Sequence, residues 1–141
     1  MLAMLRRTLS TLWALPTTSL GLALGTLALP FGARWARHSG VIEIHGGLIT
    51  WLLQHATLLQ GGASAMTLGE VVLGVSPAAL ELTRDHERVH VRQCRRWGPF
   101  FLPAYLAASA LARVRGRHFY RDNFFEREAY ALSDPRHASS S

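Results

Sequence analysis

The stretch Asp85-His86-Glu87-Arg88-Val89-His90-Val91-Arg92-Gln93 decides how this chain is read. It lies in a segment opened by Ser76-Pro77, where serine caps a helix N-terminus and proline at the first helical position gives up no needed N–H. Gly98-Pro99 supplies the stop. The span between them predicts a helix of about five or six turns. At about 100° per residue, Arg84, Arg88, Arg92 and Arg95 gather in one quadrant, while His86, His90, Gln93 and Trp97 lie on the opposite side. The expectation is an arginine stripe facing solvent or lipid head groups, and a histidine pair turned inward.

Histidines four apart lie one helical turn from each other and can direct their ring nitrogens at one ion. A tetrahedral zinc needs this spacing from a single helix, with Zn–N distances of about 2.0–2.1 Å. Glu87 is rotated about 100° from His86, which is awkward for sharing the ion and suitable for holding a zinc-bound water and taking its proton. A buried pair of neutral, hydrogen-bonded histidines would give the same helical wheel, so a third ligand is needed. Cys94 lies eight residues from His86, about 12 Å of helix rise, and cannot readily complete the site. As the only cysteine it also excludes an internal disulfide framework and a four-cysteine zinc ribbon. A second helix, started by Asp122-Asn123, running to about Ser133 and ended by Asp134-Pro135, offers Glu126 and Glu128. Glu126 also stands three residues after Asn123, the spacing of a capping box, in which its carboxylate would satisfy only a backbone N–H.

His86-Glu87-x-x-His90 followed by Glu126-x-x-Ala129 resembles the gluzincin class of zinc metallopeptidases, including the compact minigluzincins and membrane-embedded relatives with the same motif order. The resemblance spans about residues 65–131, and its specific identities are confined to these two segments. It implies one zinc ion held by His86, His90 and Glu126, catalysis through Glu87, and Ala129 packed as the small residue against the histidine helix. It also implies an edge strand ahead of that helix, which binds a peptide or protein substrate by β-augmentation. Phe125 and Tyr130 depart from the Asn and Asp that many members carry there, which leaves Asp122 or Asp85 as substitutes for the group that orients His86. His118, Tyr120, Tyr105 and Tyr130 are candidate oxyanion donors, and His45 reads as a structural or turn residue.

The rest of the chain frames that motif. Leu9 to Phe31 carries no charge and is long enough for a bilayer-spanning helix of about 20 residues. The expectation is an uncleaved membrane anchor; the competing readings are a signal peptide, for which no small-x-small cleavage site is evident, and a buried core helix. Arginines flank the run on both sides, so orientation stays open, although the arginine-rich remainder favours a cytoplasmic catalytic part. Similarity to bacterial membrane proteins of this motif type implies an inner-membrane location. The second apolar run, Pro99 to Ala112, has 14 residues and is too short to cross a bilayer of about 30 Å, so it reads as a core helix or an interfacial hairpin. Val41 to His45 alternates into a strand ending at Gly46-Gly47, and Met66 to Gly74 reads as one short edge strand.

The fold class that follows is α+β, mostly helical, with a small antiparallel sheet before the zinc-binding helix and an N-terminal hydrophobic helix. The expected division is a membrane-anchor segment over 1–38, a metallopeptidase-like domain over 39–135 and a disordered tail over 136–141. The net charge is +6, all 15 basic residues are arginine, and 49% of residues are hydrophobic. That pairing favours membrane lipid as a partner. The arginine stripe carries no interleaved aromatics, so no nucleic-acid partner is expected. A non-enzymatic membrane protein with a structural or vestigial zinc site is the alternative to a metallopeptidase.

Overall fold

Four short strands form the centre of the structure, a computed structural model that describes residues 1–57, 59 and 61–134. The expected tail, 136–141, lies outside them. In chain order the elements are α1 (Leu2–Trp13), α2 (Leu15–Ala28), β1 (Arg34–His38), β2 (Val41–His45), α3 (Leu48–His55), β3 (Ala65–Leu68), β4 (Val71–Gly74), α4 (Pro77–Trp97), α5 (Phe101–Val114) and α6 (Phe124–Ser133). The class is α+β, as expected.

The sheet is mixed rather than antiparallel. Its order is β1-β2-β4-β3, with β1/β2 and β3/β4 antiparallel and β2/β4 parallel. A parallel pair needs a crossover, and the chain leaving β2 runs through α3 before returning to the sheet. The single strand expected over Met66–Gly74 is a hairpin instead, because Gly69 takes φ 66° and turns the chain between β3 and β4. This places β3 at the sheet edge, immediately ahead of α4 in space. Strand β1 was not expected, since Arg34-Trp35-Ala36-Arg37-His38 is exposed throughout and carries no alternation to read.

Pairing fixes the two faces of the sheet. Glu43, Val72 and Thr67 are aligned across three strands, as are Ile42, Val71 and Leu68, and aligned residues share a face. The first set meets α4, where Val41, Val72, Leu80 and Val91 form one apolar cluster. The second meets α2 and α3, in a cluster that includes Ala28, Ile44, Ile49, Leu53, Val71 and Leu73.

The uncharged N-terminal run is two helices, not one. They meet at 59°, with Pro16 in the first turn of the second, and no single helix among the described residues is long and apolar enough to cross a membrane. Helix α2 buries Thr17, Thr18, Gly21, Gly25 and Ala28, a small-residue face that lets its backbone approach the sheet closely. Thr18 Oγ1 accepts from Glu70 N at 3.0 Å, tying α2 to the β3–β4 turn. A Cβ on Gly21 would stand 2.7 Å from Val71 Cβ and 3.2 Å from Leu68 Cβ. Gly21→Val is therefore expected to destabilise the fold by about 1–3 kcal/mol through overpacking, more than the ~0.4 kcal/mol valine gains in helix propensity. The denaturant midpoint reads this directly, and an unchanged midpoint would contradict so close an approach.

Candidate metal centre

Helix α4 begins where Ser76 Oγ accepts from Ala79 N at 3.1 Å and ends at Gly98, with φ 59°. Three of the four stripe arginines turn out to hold the sheet rather than face only solvent or lipid. Arg84 makes a two-point contact with the buried Glu43 carboxylate at 3.2 and 3.0 Å. Arg88 Nη2 donates to His38 O at 2.6 Å, at the end of β1, and Arg95 Nε donates to Glu70 Oε1 at 2.6 Å. Arg92 alone of the four is exposed. The histidine face is thereby fixed toward α5 and α6.

On that face His86 and His90 meet α6. His86 Nε2 lies 3.0 Å from Glu126 Oε2, His90 Nε2 lies 3.2 Å from Glu126 Oε1, and the two Nε2 atoms are 3.2 Å apart. Donor atoms of His86, His90 and Glu126 all fall within 4.8 Å of one another, the only such group of three or more His, Cys, Asp or Glu side chains among the described residues. The capping-box role does not hold Glu126: Asn123 caps α6 through its own side chain, accepting from Phe125 N at 2.8 Å, and Asn123 N donates to Tyr120 O. Ala129 is fully buried where α6 lies along α4. Glu128 is elsewhere, accepting from Gln93 Nε2 at 3.0 Å.

These three side chains fit a zinc ion. Tetrahedral bonds of about 2.0–2.1 Å put donor atoms roughly 3.3 Å apart; the two Nε2 atoms are 3.2 Å apart, and each lies 3.0 or 3.2 Å from a different oxygen of Glu126. The hydrogen-bond network also sets the tautomer. Gln93 Nε2 donates to Phe125 O and to Glu128 Oε1, both at 3.0 Å, so Gln93 Oε1 must be the acceptor 2.8 Å from His90 Nδ1. The neutral His90 ring then carries its proton on Nδ1 and aims the Nε2 lone pair at a carboxylate. Lone pairs converging in this way repel unless a proton or a metal cation lies between them. The same electrostatics act on acidity: burial opposes both shifts, yet the contacts with His86 and His90 hold Glu126 down at about 2, and Glu126 raises the His90 pKa.

Glu87 is buried beside this group. Thr67 Oγ1, on edge strand β3, donates to Glu87 Oε2 at 2.6 Å, leaving Oε1 free to take up a proton. Burial is the largest influence on its carboxyl and pushes the pKa above the ordinary carboxylate value, against the opposing pull of His90 and Thr67. Tyr105 donates to Glu126 Oε1 at 2.6 Å, so its hydroxyl proton is already engaged. His118 Nδ1 accepts from Tyr120 N and Arg121 N, so its role is to close a turn. Asp122 Oδ2 accepts from His118 N, Asp85 is exposed, and His86 Nδ1 is buried with no hydrogen-bond partner among the described residues. Tyr130 instead packs its ring 4.3 Å from that of His86, and Tyr120 Oη meets Tyr130 Oη at 3.3 Å. Cys94 is fully buried in an apolar cluster with Phe101 and Phe125, and burial pushes its thiol up to about 12, as expected for a residue outside the site. His45, closing β2, is also outside the group.

Gln93 falls on the inner face of the helical wheel, and the sequence alone gives it no task. Its amide orients His90 and ties α4 to α6 at once. Gln93→Leu, similar in volume, is expected to weaken zinc binding about 10–100-fold, the usual cost of losing a group that orients a metal-binding histidine. Competition against a chromogenic chelator measures it, and an unchanged affinity would remove Gln93 from the site. No protein-family model matches the chain, and no curated protein or solved structure matches it either.

Proposed function

We propose that the chain is a membrane-associated zinc metallopeptidase in which His86, His90 and Glu126 hold the metal and Glu87 is the general base. The observation that carries this reading is the convergence of two histidine nitrogens 3.2 Å apart on the Glu126 carboxylate, each 3.0 or 3.2 Å from a different one of its oxygens, with a buried carboxylate of raised pKa beside them. Bound there, zinc would supply Lewis-acid activation of the attacking water and of the scissile carbonyl. Glu87 Oε1 takes the proton from that water and passes it to the leaving amine, with Oε2 fixed by Thr67. Raising the carboxyl pKa brings it closer to the operating pH, which suits a group that must both accept and release a proton. A peptide would add to the free edge of β3, bringing its carbonyl alongside the Thr67–Glu87 pair.

The competing reading is a non-enzymatic protein with a structural zinc. Structural sites are closed by four protein ligands, whereas catalytic ones keep a position open. Among the described residues the group stops at three, and two candidates for a fourth, Glu128 and His118, are engaged elsewhere, which favours the enzyme. The test is cleavage of a peptide library by the full chain. Hydrolysis should be lost with a chelator and restored by one equivalent of zinc. Stoichiometric zinc without hydrolysis would support the structural reading, and substoichiometric zinc would overturn both.

A further inference from the structure

Helix α5 has two unlike faces. One carries Phe101 and Tyr105, packed against Phe125 and bonded to Glu126. The other exposes Pro103, Ala107 and Ala110 together with Leu106, Leu111 and Val114 at 67%, 50% and 84%. These six recur at three- and four-residue spacing, so they form one stripe along the whole helix. Phe100, 61% exposed, extends the stripe, and its ring lies 6.0 Å from that of Trp13 at the end of α1. Helix α1 exposes Leu5, Leu9 and Leu12 in turn.

Charge around this surface has one sign. Residues 96–121 contain Arg96, Arg113, Arg115, Arg117 and Arg121 and no acidic residue, and residues 1–42 likewise carry arginine and no acid. Arg113, Arg115 and Arg117, at the C-terminal end of the stripe, are exposed. A second copy docking here would oppose arginine to arginine. A bilayer surface rich in anionic lipid matches both parts, the stripe meeting acyl chains and the arginines meeting phosphates. At 14 residues, α5 is about 21 Å long, short of the ~30 Å hydrocarbon core, so on a bilayer it would lie in the plane of the interface and not cross.

We propose that α5, with Trp13 and Phe100 at its start and the Arg113–Arg117 rim at its end, docks the protein on an anionic bilayer surface. The metal-facing side chains sit on the opposite face of the same helix. Resting on the metallopeptidase reading, this narrows the substrates to peptide segments lying at the membrane surface. The docking itself needs no catalysis.

The test uses the full chain labelled through Leu111→Cys with an environment-sensitive fluorophore; Cys94 is fully buried and does not compete. Vesicles of 30% phosphatidylglycerol in phosphatidylcholine are expected to shift the emission to the blue. Pure phosphatidylcholine should bind at least about a hundredfold more weakly. Replacing Arg113, Arg115 and Arg117 together by Gln should lower binding to the anionic vesicles about fivefold per arginine while leaving the residual phosphatidylcholine binding unchanged. Leu106→Asp, checked for an unchanged circular dichroism spectrum, should lower both. Co-sedimentation with vesicles but no change at position 111 would overturn the proposal, since the protein would then be held by another surface. Self-association through Leu111 that lipid fails to disperse would overturn it as well. Blue shift with the inactive Glu87→Gln chain would sustain the docking even if no peptidase activity were ever found.

Discussion

Glu87→Gln should keep one zinc per chain and lose hydrolysis by about 10²–10⁴-fold, the range that a positioned general base contributes. The amide fills the same volume and can still accept from Thr67 Oγ1, now 2.6 Å from Glu87 Oε2, so packing between α4 and β3 is retained. What disappears is the ability to carry a proton. The loss should fall on kcat more than on KM, because the proton transfer belongs to the transition state. Metal content and kinetics on one preparation check both halves. Zinc lost along with activity would mean that Glu87 holds the metal, and activity retained would remove it from the chemistry.

The second large effect is expected on the metal itself. A four-ligand zinc site is worth about 10–16 kcal/mol, or about 2.5–4 kcal/mol per ligand, so His90→Ala or Glu126→Ala should weaken zinc binding roughly 10²–10³-fold. Equilibrium dialysis against a metal buffer measures it; the Glu128→Ala chain, altered two residues away, should bind more nearly like the parent. The metal-free chain gives an independent readout through pH. Glu126 is depressed to about 2, so the unfolded chain binds its proton first as pH falls, and the contribution of this group, full above about 4.5, is lost by about pH 2. His90 has the opposite sign: its raised pKa gives stability that is full below about 6.5 and lost as pH rises through the folded value. Glu126→Gln should flatten both slopes in a plot of unfolding midpoint against pH. Slopes identical to the parent would show that the carboxylate and His90 do not interact as their 3.2 Å separation requires.

Local signals carried much of this structure. Ser76, Pro77 and Gly98 bound α4 because caps and stops act within a few residues, and Val41–His45 is a strand where its alternation places one. Asn123 starts α6 for the same reason. The elements that were not legible depend on distant partners. Strand β1 exists because its backbone pairs with β2, and nothing in Arg34–His38 marks it. The parallel register of β2 with β4 comes from the route through α3. The arginine stripe read as a free surface because Glu43 and Glu70, its partners, are 41 and 25 positions away from Arg84 and Arg95. At the site, spacing named His86, His90 and Glu87, and the resemblance chose Glu126 over Glu128. The role of Gln93 could not be seen in the sequence, since it needs two acceptors on α6.

The alignment of Glu43, Val72 and Thr67 on one side of the sheet, with Ile42, Val71 and Leu68 on the other, makes the sheet a partition between two chemistries. An apolar cluster notched with glycines lies behind it; in front, beside a smaller apolar cluster, lie the Glu43–Arg84 pair and the Thr67–Glu87 contact. A slip of one residue in β4 would reverse every side chain on that strand, sending Val71 toward Arg84 and taking Val72 away from Thr67. Four backbone pairings between β2 and β4 thus act as the lock that keeps the Glu43–Val72–Thr67 face turned to α4 and the Ile42–Val71–Leu68 face turned to α2 and α3.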